Sequence, residues 1–348
     1  MTEPFLHLPV MVDEITNVFK TVPAGVVLDA TLGGGGHAER LLESNEHLRI
    51  LGLDRDEVAL AAARERLSRF GDRLMVQHCR FDRLEDAMEA FSVDSLSGAL
   101  FDLGVSSPQL DDADRGFSYR HEAQLDMRMD RTQVWTAADV VNGYPVDQLA
   151  RVLQQYGDER FARRIANAIG ASRPIETTTE LAAIVVAAIP APARRTGGHP
   201  AKRTFQAIRI EVNGELDALA PAIDSAIAHT NIGGRVAVLS YHSGEDRIVK
   251  ERMRLAVTGG CECPPELPCV CDAVQTVRIV RGVPAHQSKP NSPRTVAPRV
   301  RGCASSSELP TRHGAARWVE RWQVRCGPSA TGRYASARTP MEVSWLVP

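Results

Sequence analysis

The 348-residue sequence has no apolar run long enough to cross a bilayer. The best, Leu181 to Ile189, stops at Pro190, well short of the roughly 20 residues that a spanning helix needs. The first residues include Glu3 and Pro4 and show no basic-then-apolar pattern, so no signal peptide is expected. A large net charge is missing too: the formal value is −2, which does not announce a nucleic-acid binder. Seven cysteines are an odd number, widely spaced except for one cluster. Without an export signal, reduced thiols and a cytoplasmic location are the expectation. No Gly-Lys-Ser/Thr follows the glycine-rich stretch at 33–36, which excludes a P-loop there.

What is present reads as an ordinary globular protein, with 43% hydrophobic and 24% charged residues. Charge is concentrated locally. Ala273 to Ser307 holds six Lys or Arg and no acid, and Leu181 to Ile210 holds five and none. Such stretches suit phosphate contacts, and equally a solvated surface.

The first hundred residues alternate short apolar runs with helical patterns. Val26–Leu32, Ile50–Asp56, Leu74–Cys79 and Gly98–Gly104 read as strands, and Glu57–Phe70 as a helix between the second and third. That rhythm means a parallel sheet with right-handed crossovers. From about Leu110 the pattern turns irregular and then helical. Phe205, Ile208, Val212, Leu216, Leu219, Ile223 and Ile227 are spaced 3, 4, 4, 3, 4 and 4 apart, one continuous amphipathic helix ended by Gly233-Gly234. Arg235–Tyr241 is a fifth strand, and Thr276–Val280 a strand at the sheet edge. The economical picture is one α/β domain interrupted by a helical insertion.

The turn after the first strand, Asp29-Ala-Thr-Leu-Gly33-Gly34-Gly35-Gly36-His37, lies where a parallel sheet binds ligands, beyond the strand C-termini. It formally fits the dinucleotide pattern G-x-G-x-x-G/A, which is weak evidence alone. Asp54, ending the second strand, can accept both hydroxyls of a ribose, in NAD or S-adenosylmethionine alike. Asp29, just before the glycines, favours a ligand carrying an ammonium and a sulfonium and would be awkward beside a pyrophosphate. Phe81, after the third strand, can cover an adenine. Together these favour S-adenosylmethionine over NAD.

Asp102-Leu-Gly-Val-Ser106-Ser107-Pro-Gln109-Leu110 follows the fourth strand and would face the transferred methyl. An exocyclic base amine is a weak nucleophile because its lone pair is delocalised, so positioning must supply most of the catalysis. Asp102, Ser106 and Ser107 are candidate acceptors for its N–H bonds. Tyr241 and His242, ending the fifth strand, are candidates to stack on or orient the base. The two serines would serve as well to cap the next turn, and Tyr241 to fill the core.

Asp102–Ser118, Leu125–Asp130, Tyr156–Phe161, His199–Ala207 and His242–Lys250 resemble motifs of the bacterial 16S ribosomal RNA cytosine-N4 methyltransferases, the RsmH or MraW family. The likeness runs from about His7 to Pro293, over four fifths of the chain. It implies a class I, Rossmann-like methyltransferase fold, with a mostly parallel sheet and an inserted helical domain. It also implies methylation of N4 of a cytidine at the decoding centre, with 16S ribosomal RNA in the small subunit as partner, no membrane, and room for a homodimer. Cofactor contacts would fall on Gly34, Gly35, Gly36, His37, Asp54, Phe81, Asp102 and Gln109. Arg115, Arg128, Lys202 and Arg203 are the candidates for phosphate contact, although Arg115 and Arg128 also have aspartates close by in sequence. The domains would be 1–109 and 204–302 for the core, 110–203 for the insertion, and 303–348 for an atypical tail expected to be disordered. Tyr241 and Gly244 stand where the family usually has Phe and Leu.

Cys261-Glu-Cys263 and Cys269-Val-Cys271 place four thiols within eleven residues. Four thiolates can hold a structural zinc, but C-x-C is tighter than the usual spacing, so thiols without metal are the expectation and no metal ligand is assigned. Two other readings stand beside the methyltransferase: an NAD-dependent oxidoreductase on the same fold, and a ribosome-assembly binder that has lost catalysis.

Overall fold

The computed structural model describes residues 9–195, 198–264, 270–271, 273–275, 277–280 and 341–346, the last six by backbone alone. Strands β1 (Gly25–Asp29), β2 (Leu48–Asp54), β3 (Leu74–His78) and β4 (Leu96–Asp102) alternate with helices α1 (Val12–Phe19), α2 (Gly36–Ser44), α3 (Glu57–Leu67) and α4 (Leu84–Ala90). After β4 come α5 (Ser107–Asp111), α6 (Ala137–Gly143), α7 (Val146–Gly157), α8 (Ala162–Ala171), α9 (Thr178–Ala188) and α10 (Lys202–Asn213). The chain then returns through α11 (Glu215–His229), β5 (Thr230–Leu239), α12 (Ser243–Thr258), β6 (Val277–Ile279) and β7 (Met341–Leu346). The sheet order is β3-β2-β1-β4-β5-β7-β6, every neighbouring pair parallel.

Strand residues alternate between two buried faces, which is why each strand reads as an unbroken apolar run. Val26, Leu28, Ala99, Phe101, Val236 and Val238 point to the face covered by α4, α11 and α12. Val27, Ile50, Leu100, Ala237 and Leu239 point to the face covered by α1, α2 and α3. Each large side chain buried in this way contributes about 1.5–3 kcal/mol. A third apolar cluster belongs to the insertion, with Leu125, Met127, Leu149, Leu153, Ile165, Ile169, Leu181, Phe205 and Ile208 among its members. No helix among the described residues is long and apolar enough to cross a membrane.

The structure corrects three expectations. The stripe from Phe205 to Ile227 is two helices, broken at Gly214, whose left-handed φ of 57° ends α10. Phe205, Ala207, Ile208 and Val212 pack into the insertion's cluster, whereas Leu219 and Ile223 pack on the sheet. The insertion therefore runs to Asn213 rather than 203. Gly233 and Gly234 lie inside β5 and do not end a helix; Gly234 has no room for a Cβ, which would stand 2.8 Å from the carbonyl oxygen of Ser97 on β4. Finally, in the tail expected to be disordered, Met341–Leu346 form β7, paired in register from Arg235↔Glu342 to Leu239↔Leu346; residues 303–340 lie outside the described residues. The edge strand expected near Thr276–Val280 is β6.

Candidate active site

Three carboxylates close three adjacent strands: Asp29 ends β1, Asp54 ends β2 and Asp102 ends β4. The order β2-β1-β4 makes this the place where the sheet's connections change direction, and open α/β sheets bind ligands at that point. Asp29 is 1% exposed. Burial pushes its carboxyl up to about 7; His37 and the N–H of Thr31 pull it down in part, while Asp102 and Asp54 push it further up. Burial also raises Asp54, against the N–H donors of Asp56 and Gly33.

The loop after β1 is tied to both neighbouring strands. The Leu32 N–H donates to the Leu53 carbonyl at 2.8 Å, and the Asp102 N–H donates to Thr31 Oγ1 at 2.7 Å. The Gly33 N–H donates to Asp54 Oδ2 at 2.8 Å. Gly35 has φ 78°, and a Cβ there would sit 2.8 Å from Leu67 Cδ1, so both conformation and space demand glycine. The turn delivers His37 into α2, almost fully buried. Its Nε2 lies 3.4 Å from Asp102 Oδ2, but off hydrogen-bonding geometry, and both ring nitrogens are without a hydrogen-bond partner. Phe81 follows β3 and packs edge-on against Phe101, with ring centroids 6.0 Å apart.

Beyond β5, Tyr241 is 45% exposed, not core-packed, and its hydroxyl donates to Asp102 Oδ1 at 2.6 Å. Burial of the phenol and the adjacent Asp102 raise its pKa, so it stays protonated. The structure thus brings His37 and Tyr241 to the two oxygens of Asp102 and the glycine loop to Asp54, all at neighbouring strand ends. Ser106 lies at the start of α5, where its backbone N–H donates to Gln109 Oε1 at 3.1 Å. Gln109 is buried and also gives an amide N–H to Asp56 Oδ2 at 2.9 Å. The side chain of Ser107 lies outside the described residues.

Three assignments do not survive. His242 is the N-cap of α12: its Nδ1 accepts from the N–H of Gly244 and Glu245 at 3.2 and 3.3 Å. Glu245 completes the capping box by accepting the His242 N–H at 3.3 Å, and the same oxygen takes the Tyr241 N–H at 2.8 Å. The ring is therefore held by its own helix and not turned to a base. Arg115 is 4% exposed and donates to Asp56 Oδ2 at 2.8 Å and to the carbonyls of Arg128 and Met129 at 3.0 Å, so no phosphate can reach it. Arg128 grips both oxygens of Asp126 at 2.8 Å and the carbonyls of Arg131 and Gln133, which organises its own loop. Lys202 and Arg203 are exposed at the start of α10, although one Arg203 nitrogen donates to the Asp158 carbonyl at 2.9 Å.

Sequence reasoning missed the residues that fasten the insertion to the sheet. Asp56 caps α3 through Val58 N–H and also takes Arg115 and Gln109. Asn213 donates to the carbonyls of Met127 and Arg209 and accepts from the Met129 N–H, each at 2.8 Å. The available signal was Asp56 immediately before a helix, the usual cap position. It also missed an aromatic group on the insertion: Tyr119 stacks on His199 with centroids 4.3 Å apart, and Phe205 meets Tyr119 edge-on at 5.7 Å.

Residues 4–301 match the model of the MraW methylase family. The chain belongs to that family. It is 46% identical to the ribosomal RNA small subunit methyltransferase H of Thermobifida fusca, over 87% of this chain and 94% of the relative. It is 52% identical to the protein of the same name from Mycobacterium bovis, over 76% of this chain and 71% of the relative. A methyltransferase from Streptococcus mutans, solved in complex with SAH, resembles it at 13% identity and a TM-score of 0.34, over 71% of this chain and 83% of that one. That likeness is too slight to bear on the site.

The cofactor of this MraW methylase is S-adenosylmethionine, and the residues present fit it. A cationic ligand suits strand ends that carry Asp29, Asp54 and Asp102, the first two held above their ordinary range by burial. His37 brings two buried nitrogens that lack partners. The space over Gly34 is open, with nothing within 4 Å of where a Cβ would be.

Proposed function

We propose that the chain methylates the exocyclic N4 amine of a cytidine in 16S ribosomal RNA, at the decoding centre of the small subunit, by direct in-line transfer in the cytoplasm. The observation that carries this reading is Asp102. It ends β4 beside the glycine loop, with one carboxylate oxygen bound by Tyr241 and the other facing His37. When bound, S-adenosylmethionine supplies an electrophilic methyl group on a sulfonium. Asp102 would accept an N–H of the base amine and turn its lone pair toward that methyl; as the N–C bond forms and the S–C bond breaks, the proton the amine loses would pass to Asp102 and on to solvent. Tyr241, kept protonated, steadies the carboxylate as a donor and cannot act as the base; its half-exposed ring offers a face for the pyrimidine. Catalysis is then mostly orientation, the contribution that positioning can supply without a covalent step.

The RNA side lies on the insertion. Lys202 and Arg203 meet phosphate, and the Tyr119–His199 stack, with Arg120 5.8 Å over the Tyr119 ring, offers an aromatic surface of the kind that unpaired bases stack on. The names of the relatives support a small-subunit RNA substrate.

The test is methyl transfer from labelled cofactor to small subunits that lack the mark. Wild-type protein should place its label on a single cytidine, mapped as N4-methylcytidine by mass, and Asp102→Ala should fall to near background. Label on another base, or no transfer by the wild type, would sink the reading.

A further inference from the structure

Among the described residues between α12 and β6, the start and the end of the link meet. α12 ends at Gly259, with φ 61°. The Gly260 N–H donates to the Leu255 carbonyl at 3.0 Å and the Cys261 N–H to the Thr258 carbonyl at 3.2 Å. The chain then returns to its starting point: a Cβ on Gly259 would stand 2.4 Å from the Val274 carbonyl oxygen. Within the loop so closed, the sulfurs of Cys261, Cys263 and Cys271 all lie within 4.8 Å of one another.

We propose that these three sulfurs bind one zinc ion, which clips the loop and fixes where the chain enters β6. A tetrahedral site with Zn–S near 2.3 Å separates its sulfurs by about 3.8 Å, so side-chain rotations that bring the three about 1 Å closer would complete the geometry. The tight C-x-C spacing is no obstacle, because the sulfurs of Cys261 and Cys263 already lie within 4.8 Å of each other. Thiolate ligands select zinc over magnesium or calcium. Each thiol gives up its proton to solvent on binding, so the site fills more readily as pH rises. Cys269 lies outside the described residues, and the assignment rests on the other three; the fourth position of the tetrahedron is left for water or a further thiolate. The role is structural: Val277, at the start of β6, is fully buried in the main core, and the clip sets its approach.

The experiment uses the full chain, purified under reductant without chelator, with metal counted by mass spectrometry. Wild type and Cys79→Ser, whose thiol is outside the cluster, should each carry roughly one zinc per chain. Cys261→Ser, Cys263→Ser and Cys271→Ser should each lose about tenfold or more of it. Cobalt exchanged into the wild type should show thiolate-to-metal charge transfer, a result that stands even where a serine variant fails to fold. The proposal is overturned by wild-type protein that holds no zinc and gives no cobalt–thiolate spectrum after reduction. Full zinc retention in a soluble Cys261→Ser protein overturns it too, as does peptide mapping that finds Cys261 joined to Cys271 by a disulfide in freshly isolated chain.

Discussion

The strand ends and the insertion both carry buried charge, but they treat it in opposite ways. At the strand ends polar capacity is left over: Asp29 is held near 7 and His37 is buried with neither nitrogen paired. In the insertion and its fastening the charged and amide side chains are filled: Arg115 has three acceptors, Arg128 four and Asn213 three contacts, and the small Thr204 hydroxyl is left without a partner. A buried polar group without a partner costs about 1–3 kcal/mol, and a fold keeps such a cost where a ligand will relieve it. Filled capacity marks Arg115 and Arg128 as frame, and they pass from function to structure. His242 passes with them through its cap on α12, although its Nε2 has no hydrogen-bond partner.

The contrast can be broken at several points. Arg115→Ala should have the largest effect, leaving Asp56 buried without its cation; about 3–5 kcal/mol of stability is expected to go, read from urea denaturation. A shift under about 1 kcal/mol would mean that the frame is not held by this pair. Asp102→Ala should lower kcat about 100-fold while stability stays within about 1 kcal/mol of wild type; the reverse pattern would make Asp102 part of the frame.

Asp29 gives a pH signature. Its folded carboxyl holds a proton up to about 7, against an ordinary value of 3.8. The stability this lends the cofactor-free chain is fully present below about pH 4 and lost as pH rises to about 7. Affinity for the cationic cofactor should move the other way, rising through the same window by up to about tenfold per pH unit. Asp29→Asn should flatten both profiles in melting and titration calorimetry, and an unchanged slope in that variant would assign the effect elsewhere. His242→Ala, by removing a cap, should cost about 1 kcal/mol in thermal melts and leave the initial rate of methyl transfer within about threefold, a change worth under 1 kcal/mol of barrier. Smallest of all, Lys202→Ala should reduce the salt slope of RNA binding by about 1; an unaltered slope would remove it from the interface.

Much of this was legible because strands buried on both faces read as short unbroken apolar runs. Those runs placed the ends of β1, β2 and β4 within three residues, and so brought Asp29, Asp54 and Asp102 to the strand ends. The stripe from Phe205 to Ile227 misled for a physical reason: spacing shows that a face is buried but not what buries it. α10 and α11 keep one phase across Gly214 while packing on different bodies. Asp56, Arg115 and Asn213 were illegible as a group because their partners lie 59 and 86 residues away, beyond any local pattern. His242 was misplaced because serine, threonine, aspartate and asparagine are the customary caps, and a histidine doing that work looks like a catalytic group.

Thr31 joins the glycine loop to the backbone of Asp102 through a single 2.7 Å hydrogen bond. A hydroxyl fixed in one loop and bonded to the next strand is a thermodynamic connection. Whatever steadies the loop steadies the carboxylate, and by linkage the help is returned in equal measure. Occupancy of the first binding place should therefore raise affinity at the second, and the enzyme should favour a kinetic order in which the methyl donor arrives before the ribosomal particle.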